Sequence, residues 1–170
     1  MTLNRLAISV GALLILIASC KVNYSFTGAS VSPGTKTISI ATFPSYQAPL
    51  APPSLSQSFT ESLKDIFLRQ TNLSLVKSNG DIIIEGEITG YQTRDEAVSG
   101  ANVSTISRLT ITVKLSYIDT KNEENSYEQV FSNFAQFDGT QTLSDVETQV
   151  IEEINEKLAQ DIFNKSLGNW

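Results

Sequence analysis

The chain has 170 residues, with 12 Lys and Arg against 18 Asp and Glu, one Cys and no His. Without His, the Ser–His and Cys–His nucleophile pairs and His-ligated zinc are excluded, and one Cys leaves no internal disulfide. A net charge of −6 with no basic cluster argues against nucleic acid as a partner.

In chain order, Arg5 is the only charged side chain of the first twenty residues, and Leu6 to Ala18 is an apolar run of thirteen. A hydrocarbon core needs roughly 20 residues. A run of this length, behind a positive charge and ahead of small residues, has the pattern of a secretory signal. The following Ile17-Ala18-Ser19-Cys20 resembles the bacterial lipobox. The expectation is a signal peptide at 1–19, a lipidated segment at 20–36 that begins on acylated Cys20, and one domain at 37–170. The cleaved chain keeps 151 residues and, without Arg5, a net charge of −7. That is enough chain for one core. More than one acyl chain gives stable anchoring, at about 0.8 kcal/mol per buried methylene.

Val22, Tyr24 and Phe26 alternate with Asn23 and Ser25, a short strand-like start, and Gly28 to Thr35 reads as a turn. Thr37 to Phe43 alternates as a strand, with Ile38, Ile40 and Thr42 on one face and Ser39, Ala41 and Phe43 on the other. Pro44 to Pro53 holds four of the five prolines and predicts an irregular, extended loop. Ser54 and Gln57 have capping-box spacing. Leu55, Phe59, Leu63, Ile66 and Phe67 then draw one stripe down a helix that runs out near Gln70.

Leu73 to Val76 is a short apolar segment, a candidate for a small extra strand, and Ser78-Asn-Gly-Asp81 is a turn signal. Asp81 to Tyr91 predicts a strand with Ile82, Ile84 and Ile88 on one face and Ile83, Glu85, Glu87, Thr89 and Tyr91 on the other. Thr93 to Ser104 is polar and reads as a mobile connection. Ile106 to Ile118 alternates most clearly: Leu109, Ile111, Val113, Leu115 and Tyr117 inside, Thr110, Thr112, Lys114 and Ser116 outside. Asp119 to Asn125 is a turn, and Ser126 to Phe137 a strand with Phe131, Ala135 and Phe137 on one face. A second capping box at Ser144 and Glu147 opens a helix with a stripe from Val146 to Phe163.

The order β-α-β-β-β-α predicts an α+β fold, a two-layer α/β sandwich. A mixed four-stranded sheet would carry both helices on one face. The first crossover should be right-handed with parallel pairing. The other sheet face would carry the Thr, Lys and Ser side chains and be open or covered by a partner.

Three groups are candidates for chemistry. Glu85 and Glu87 share a face, as paired carboxylates in glycosidases do, although two acids on the wet side of a strand are far commoner as solubilising charges. Asp119, Glu123 and Glu124 could hold Ca²⁺, but the EF-hand pattern is missing, and a solvated hairpin tip is the commoner outcome. Arg94, Arg108, Lys114 and Lys121 lie in or beside the central hairpin and are candidates for gripping the phosphate of an anionic lipid, because Arg forks match phosphate geometry. On the residues alone, a periplasmic adaptor lipoprotein for barrel insertion or cell-wall attachment is an open alternative.

The parts together resemble a known family. Tyr24-Ser-Phe-Thr-Gly28 after the lipobox, Thr37-Ile-Ser-Ile-Ala-Thr-Phe-Pro44 and Leu55-Ser-Gln-Ser-Phe-Thr-Glu-Ser-Leu63 are similar to the LptE family. So are Asn79-Gly-Asp81 before a strand ending at Tyr91, Arg108-Leu-Thr-Ile-Thr-Val113, Phe131-Ser-Asn-Phe-Ala135 and Asp161-Ile-Phe-Asn164 with the closing Asn169-Trp170. The likeness is to the branch outside the enteric bacteria. It implies a non-enzymatic outer-membrane lipoprotein without a cofactor, seated as a plug in an LptD-type β-barrel that delivers lipopolysaccharide to the cell surface. Some members contact lipopolysaccharide through a basic patch; no residue of this acidic chain matches that patch. An Asp directly after the Cys resembles an inner-membrane retention signal. Here Lys21 stands there, which implies the outer membrane.

Overall fold

The structure is a computed structural model that describes residues 31–98 and 104–168. The signal segment, Cys20, the strand-like start at 22–26, Gly100 and Trp170 lie outside the described residues. The elements are β1 (Thr37–Ile40), α1 (Ser54–Gln70), β2 (Ser74–Leu75), β3 (Ile82–Val98), β4 (Ser104–Asp119), a 3-10 turn (Glu123–Asn125), β5 (Tyr127–Asp138) and α2 (Leu143–Leu167). The sheet has five strands in the order β2-β1-β3-β4-β5, the fifth being the two-residue strand at Ser74–Leu75. β1 pairs in parallel with both β2 and β3, and β3, β4 and β5 form an antiparallel meander.

Both stripes read from the sequence become the core. Leu55, Phe59, Leu63 and Phe67 on α1 are fully buried, as are Ile154, Leu158 and Ile162 on α2. Each such side chain contributes about 1.5–3 kcal/mol by leaving water. Below them lie Ile82, Ile84 and Ile88 of β3 and Leu109, Ile111, Val113, Leu115 and Tyr117 of β4. The two helices run in the same direction on this one face. Asn155 Nδ2 donates to Ser58 Oγ at 3.1 Å and Gln70 Nε2 to Gln160 Oε1 at 3.3 Å further along, while Phe67 meets Phe163 edge-on at 5.2 Å.

Three local expectations about the strands are corrected. β1 stops at Ile40, because Phe43 turns inward to pack edge-on against Phe59, with ring centroids 5.1 Å apart, while Ala41 and Thr42 are exposed. Tyr91 belongs to the core face and not with Glu85 and Glu87: the register shifts between Ile88 and Gly90, so one extra residue reverses the alternation. The Tyr91 hydroxyl then reaches Glu147 of α2 at 2.6 Å, and burial together with that carboxylate raises its pKa. The connection expected over Thr93 to Ser104 is mostly strand, since β3 and β4 stay paired out to Val98 and Ser104.

The helix starts also differ. α1 begins at Ser54 with Pro53 before it and no side-chain cap bond. A Pro at the helix start has no N–H to satisfy. α2 starts ahead of Ser144, with Thr142 at the cap and Asp145 in place of Glu147; Asp145 Oδ2 accepts from Thr142 Oγ1 at 2.7 Å.

Two close approaches require glycine. A Cβ on Gly86 would lie 2.7 Å from Phe43 Cε1 and nearer still to the Lys114 carbonyl. In the turn before β3, Asn79 takes positive φ at 54°, which Asn tolerates. A Cβ on the neighbouring Gly80 would stand 2.6 Å from Ser39 N.

Candidate functional site: the open face of the sheet

With both helices on one side, alternation along β3, β4 and β5 places the remaining side chains on a face that no described element covers. Glu85 and Glu87 share it as the two-residue spacing requires, opposite Ser116 and Lys114 of β4. Lys114 Nζ sits 2.6 Å from Glu128 Oε1 of β5. That hydrogen bond, with the field of Glu128 and then Glu87, raises the Lys114 pKa and keeps it charged. Thr112 Oγ1 and Ser132 Oγ share a hydrogen bond of 3.1 Å. Glu87 Oε1 accepts from Gln47 Nε2 at 2.8 Å.

Toward the hairpin end, Arg94 and Arg108 stand directly opposite each other. The Arg108 guanidinium lies 4.0 Å from the Phe134 ring centroid, and its Nη2 is 2.9 Å from Glu96 Oε2, which also accepts from Gln136 Nε2 at 3.1 Å. A cation over an aromatic face gains about 0.5–1 kcal/mol at an exposed site. Arg108 Nε is buried without a partner among the described residues. Arg94 makes no ion pair among the described residues. Lys114 is six residues along β4 from Arg108, about 20 Å away.

Lys121 sits at the other end of the sheet, where its Nζ lies 3.0 Å from Asp81 Oδ1. Asp81 Oδ2 accepts from Lys36 N, Thr37 N and Thr37 Oγ1 at 2.9, 3.0 and 2.9 Å. The Lys36 N–H, then Lys121 and Thr37, hold the Asp81 carboxyl well below the usual range. Asp119, 1% exposed, accepts from Ser32 Oγ, Asn125 Nδ2 and the backbone N–H groups of Lys121 and Asn122. Burial alone would raise its pKa; the Ser32 hydroxyl and the turn donors outweigh that and lower it. The two carboxylates thus clasp the segment entering β1. Donors already surround Asp119, and Glu123 and Glu124 are exposed, so this turn is organised from within.

Sequence reasoning missed Val130 and Phe134, large apolar side chains on the open face that are 56% and 41% exposed. Their parity against Phe131 and Ala135 carried that signal. It also missed Glu96 and Gln136, which engage Arg108 only once the three-strand register is known.

The fold and this face define a class: a small α/β module with one covered and one open sheet face, the open one a mosaic of charges, hydroxyls and apolar side chains. A sequence model of the LptE family, described as lipopolysaccharide assembly, matches residues 35–166. The chain belongs to that family, whose role in building the cell envelope is not enzymatic. No curated protein matches the sequence.

Among solved structures, a hypothetical protein from Chlamydia trachomatis has a TM-score of 0.54 at 10% identity, over 79% of this chain and 99% of its own. A minor lipoprotein from Acinetobacter baumannii has a TM-score of 0.48 at 17% identity, over 77% of this chain and 91% of its own. An uncharacterized lipoprotein B from Nitrosomonas europaea has a TM-score of 0.47 at 16% identity, over 85% of this chain and 88% of its own. At these identities the first likeness shows the fold alone.

Proposed function

We propose that the protein is an outer-membrane lipoprotein, held by acyl chains on Cys20, that serves as the plug and assembly subunit of an LptD-type β-barrel delivering lipopolysaccharide to the cell surface. The family match over residues 35–166 carries this reading. The open sheet face is the surface we assign to the barrel. The lumen of a large outer-membrane barrel is polar and water-filled, and a face of Thr, Ser and paired charges loses little on meeting it. Phe134 and Val130 then supply the apolar contacts. β3 is 17 residues long, about 56 Å at 3.3 Å per residue, against a hydrocarbon thickness of about 30 Å. A plug standing along the barrel axis would therefore extend beyond the membrane-embedded wall. Arg94 and Arg108, opposite each other on this face, are the part of the four-cation set we assign to lipid phosphate.

The test is purification of a C-terminally tagged chain from detergent-solubilised outer membrane, with mass spectrometry of what accompanies it. A stoichiometric LptD-type barrel is the expected result. Recovery alone, or with peptidoglycan, would overturn the plug reading in favour of a cell-wall adaptor.

A further inference from the structure

The loop between β1 and α1 presents two large apolar side chains to solvent: Tyr46 is 89% and Leu50 79% exposed, well beyond Val130 at 56%. Two successive turns make this display, closed by Ala48 N–H to Ser45 C=O at 3.0 Å and Ala51 N–H to Ala48 C=O at 2.9 Å. Tyr46 falls inside the first turn and Leu50 inside the second. Ala48 between them is buried at 5% exposure and acts as the loop's foot. The ends are pinned as well. Pro44 C=O accepts from Ile88 N–H at 2.8 Å, Phe43 C=O from Ser56 Oγ at 2.6 Å, and Gln47 is bonded to Glu87. The two side chains are thus held out by a rigid base, so burying them in a partner costs little further ordering.

The surroundings are unusual for this chain. Between Lys36 and Glu61 there is no Asp, Glu, Lys or Arg, in a protein with 18 acids and 12 bases. We propose that this loop is a second membrane contact, with Tyr46 and Leu50 inserting into the headgroup region of the phospholipid bilayer to which the chain is tethered; this rests on the lipid anchor at Cys20. Elsewhere the acidic surface is repelled by anionic headgroups, and desolvating a carboxylate costs several kcal/mol. The loop brings no carboxylate of its own, and Glu87, bonded to Gln47, stands at its base. Tyr suits the interface because its ring is apolar and its hydroxyl stays wet.

The geometry of the tether permits it. Cys20 and Val31 are eleven residues apart, a reach of up to about 36–40 Å. The loop lies beside Ile88, six residues along β3 from Ile82 at the clasped end, or about 20 Å. Two side chains alone would bind a bilayer weakly. Tethering raises the local concentration to the millimolar range, at which weak insertion becomes substantial occupancy. Because the loop flanks β3 on the β1 side of the sheet, its contact would turn the β5 edge away from the lipid.

The test uses the full lipidated chain reconstituted in phosphatidylethanolamine–phosphatidylglycerol vesicles. Tyr46→Trp in a Trp170→Phe background is the reporter, and Leu68→Trp on α1, 40% exposed, is the control in the same background. We expect the reporter indole to show blue-shifted emission and quenching by brominated acyl chains. The control indole should be unaffected, and Leu50→Ser should reduce the quenching of the reporter. Flotation with the vesicles but no quenching of the reporter would overturn the inference while leaving the anchor standing. Equal quenching at both positions would overturn it as unspecific adsorption. A chain that fails to float would remove the anchor and the inference together. A photo-crosslinker at position 46 that captures the barrel protein instead of lipid would assign the loop to a protein partner and overturn it.

Discussion

Phe43→Ala should be among the most damaging single substitutions in this domain, although Phe43 stands beside a proline-rich loop. Its ring is fully buried. It packs edge-on against Phe59 with an interplanar angle of 81° and fills the space that Gly86 leaves on β3. Removing a buried Phe ring costs about 3–5 kcal/mol, of which the aromatic pair supplies about 0.5–1.5 kcal/mol. The Phe43 N–H to Thr60 Oγ1 bond of 3.1 Å is made by the backbone and survives the substitution. Against a total stability of about 5–15 kcal/mol, the loss would lower the melting temperature by roughly 10–20 °C. Urea unfolding of the mature chain, followed by far-ultraviolet circular dichroism, should show a lower midpoint at unchanged slope. A double-mutant cycle with Phe59→Leu should return a coupling of about 1 kcal/mol. A cost below about 1.5 kcal/mol, well short of the usual range for a buried ring, or strict additivity with Phe59→Leu, would refute the packing described. The same variant should speed amide exchange at Ile88, whose N–H is held by the loop.

Three further outcomes are expected. Asp81, Asp119 and Asp138 all have lowered pKa values in the folded state; groups of this sign stabilise the fold above the ordinary carboxylate pKa of about 4 and lose that contribution as pH falls through the folded values. The urea midpoint should therefore drop below about pH 4, and Asp81→Asn should flatten that drop. At the β5 edge, Lys157 Nζ donates to Phe134 C=O at 3.1 Å and Asn133 Oδ1 accepts from Phe134 N–H at 2.9 Å; such capping guards an open strand edge. Lys157→Ala with Asn133→Ala should make the chain self-associate with concentration in analytical ultracentrifugation, whereas the parent should not show that dependence. Cys20→Ala should leave the thermal melt unchanged and release the protein from washed membranes into the soluble fraction; retention without a barrel partner would count against the anchor.

The sequence was legible wherever a core stood on one side of an element. The α1 and α2 stripes and the Leu109 to Tyr117 alternation are periodic because one face of each is dry. Legibility failed where that contrast fades. Gln92 to Asp95 and Thr105 are exposed in the outer part of the hairpin, so no apolar alternation separates strand from loop there. At Tyr91 the pattern misled because a single bulge residue changes the face without changing composition; Gly90 was its only trace. Of the site, Arg94 fell in the stretch expected to be a connection, whereas the positions of Arg108 and Lys114 on the open face were readable by parity. Their pairing was not, since Glu128 and Glu96 reach them only through the register of neighbouring strands.

That pairing bears on what the open face can recognise. Its cations are mostly answered by its own acids: Arg108 by Glu96, and Lys114 by Glu128 with Glu87 beside it. Exposed pairs of this kind add only about 0–1 kcal/mol to stability, so their chief effect is on the field the face projects. A self-neutralised surface does not steer a charged partner from a distance; it is read at contact, by hydroxyls, by guanidinium and carboxylate edges, and by Phe134 and Val130. Such a face suits a long-lived fit against another polar surface better than the capture of a freely diffusing anion. Arg94 is the exception, a cation with no ion pair among the described residues, standing where β3 and β4 leave the shelter of the helices. The division is therefore local: Lys114 in the middle of the sheet is answered by Glu128, whereas toward the hairpin end the answered Arg108 and the unanswered Arg94 stand directly opposite each other.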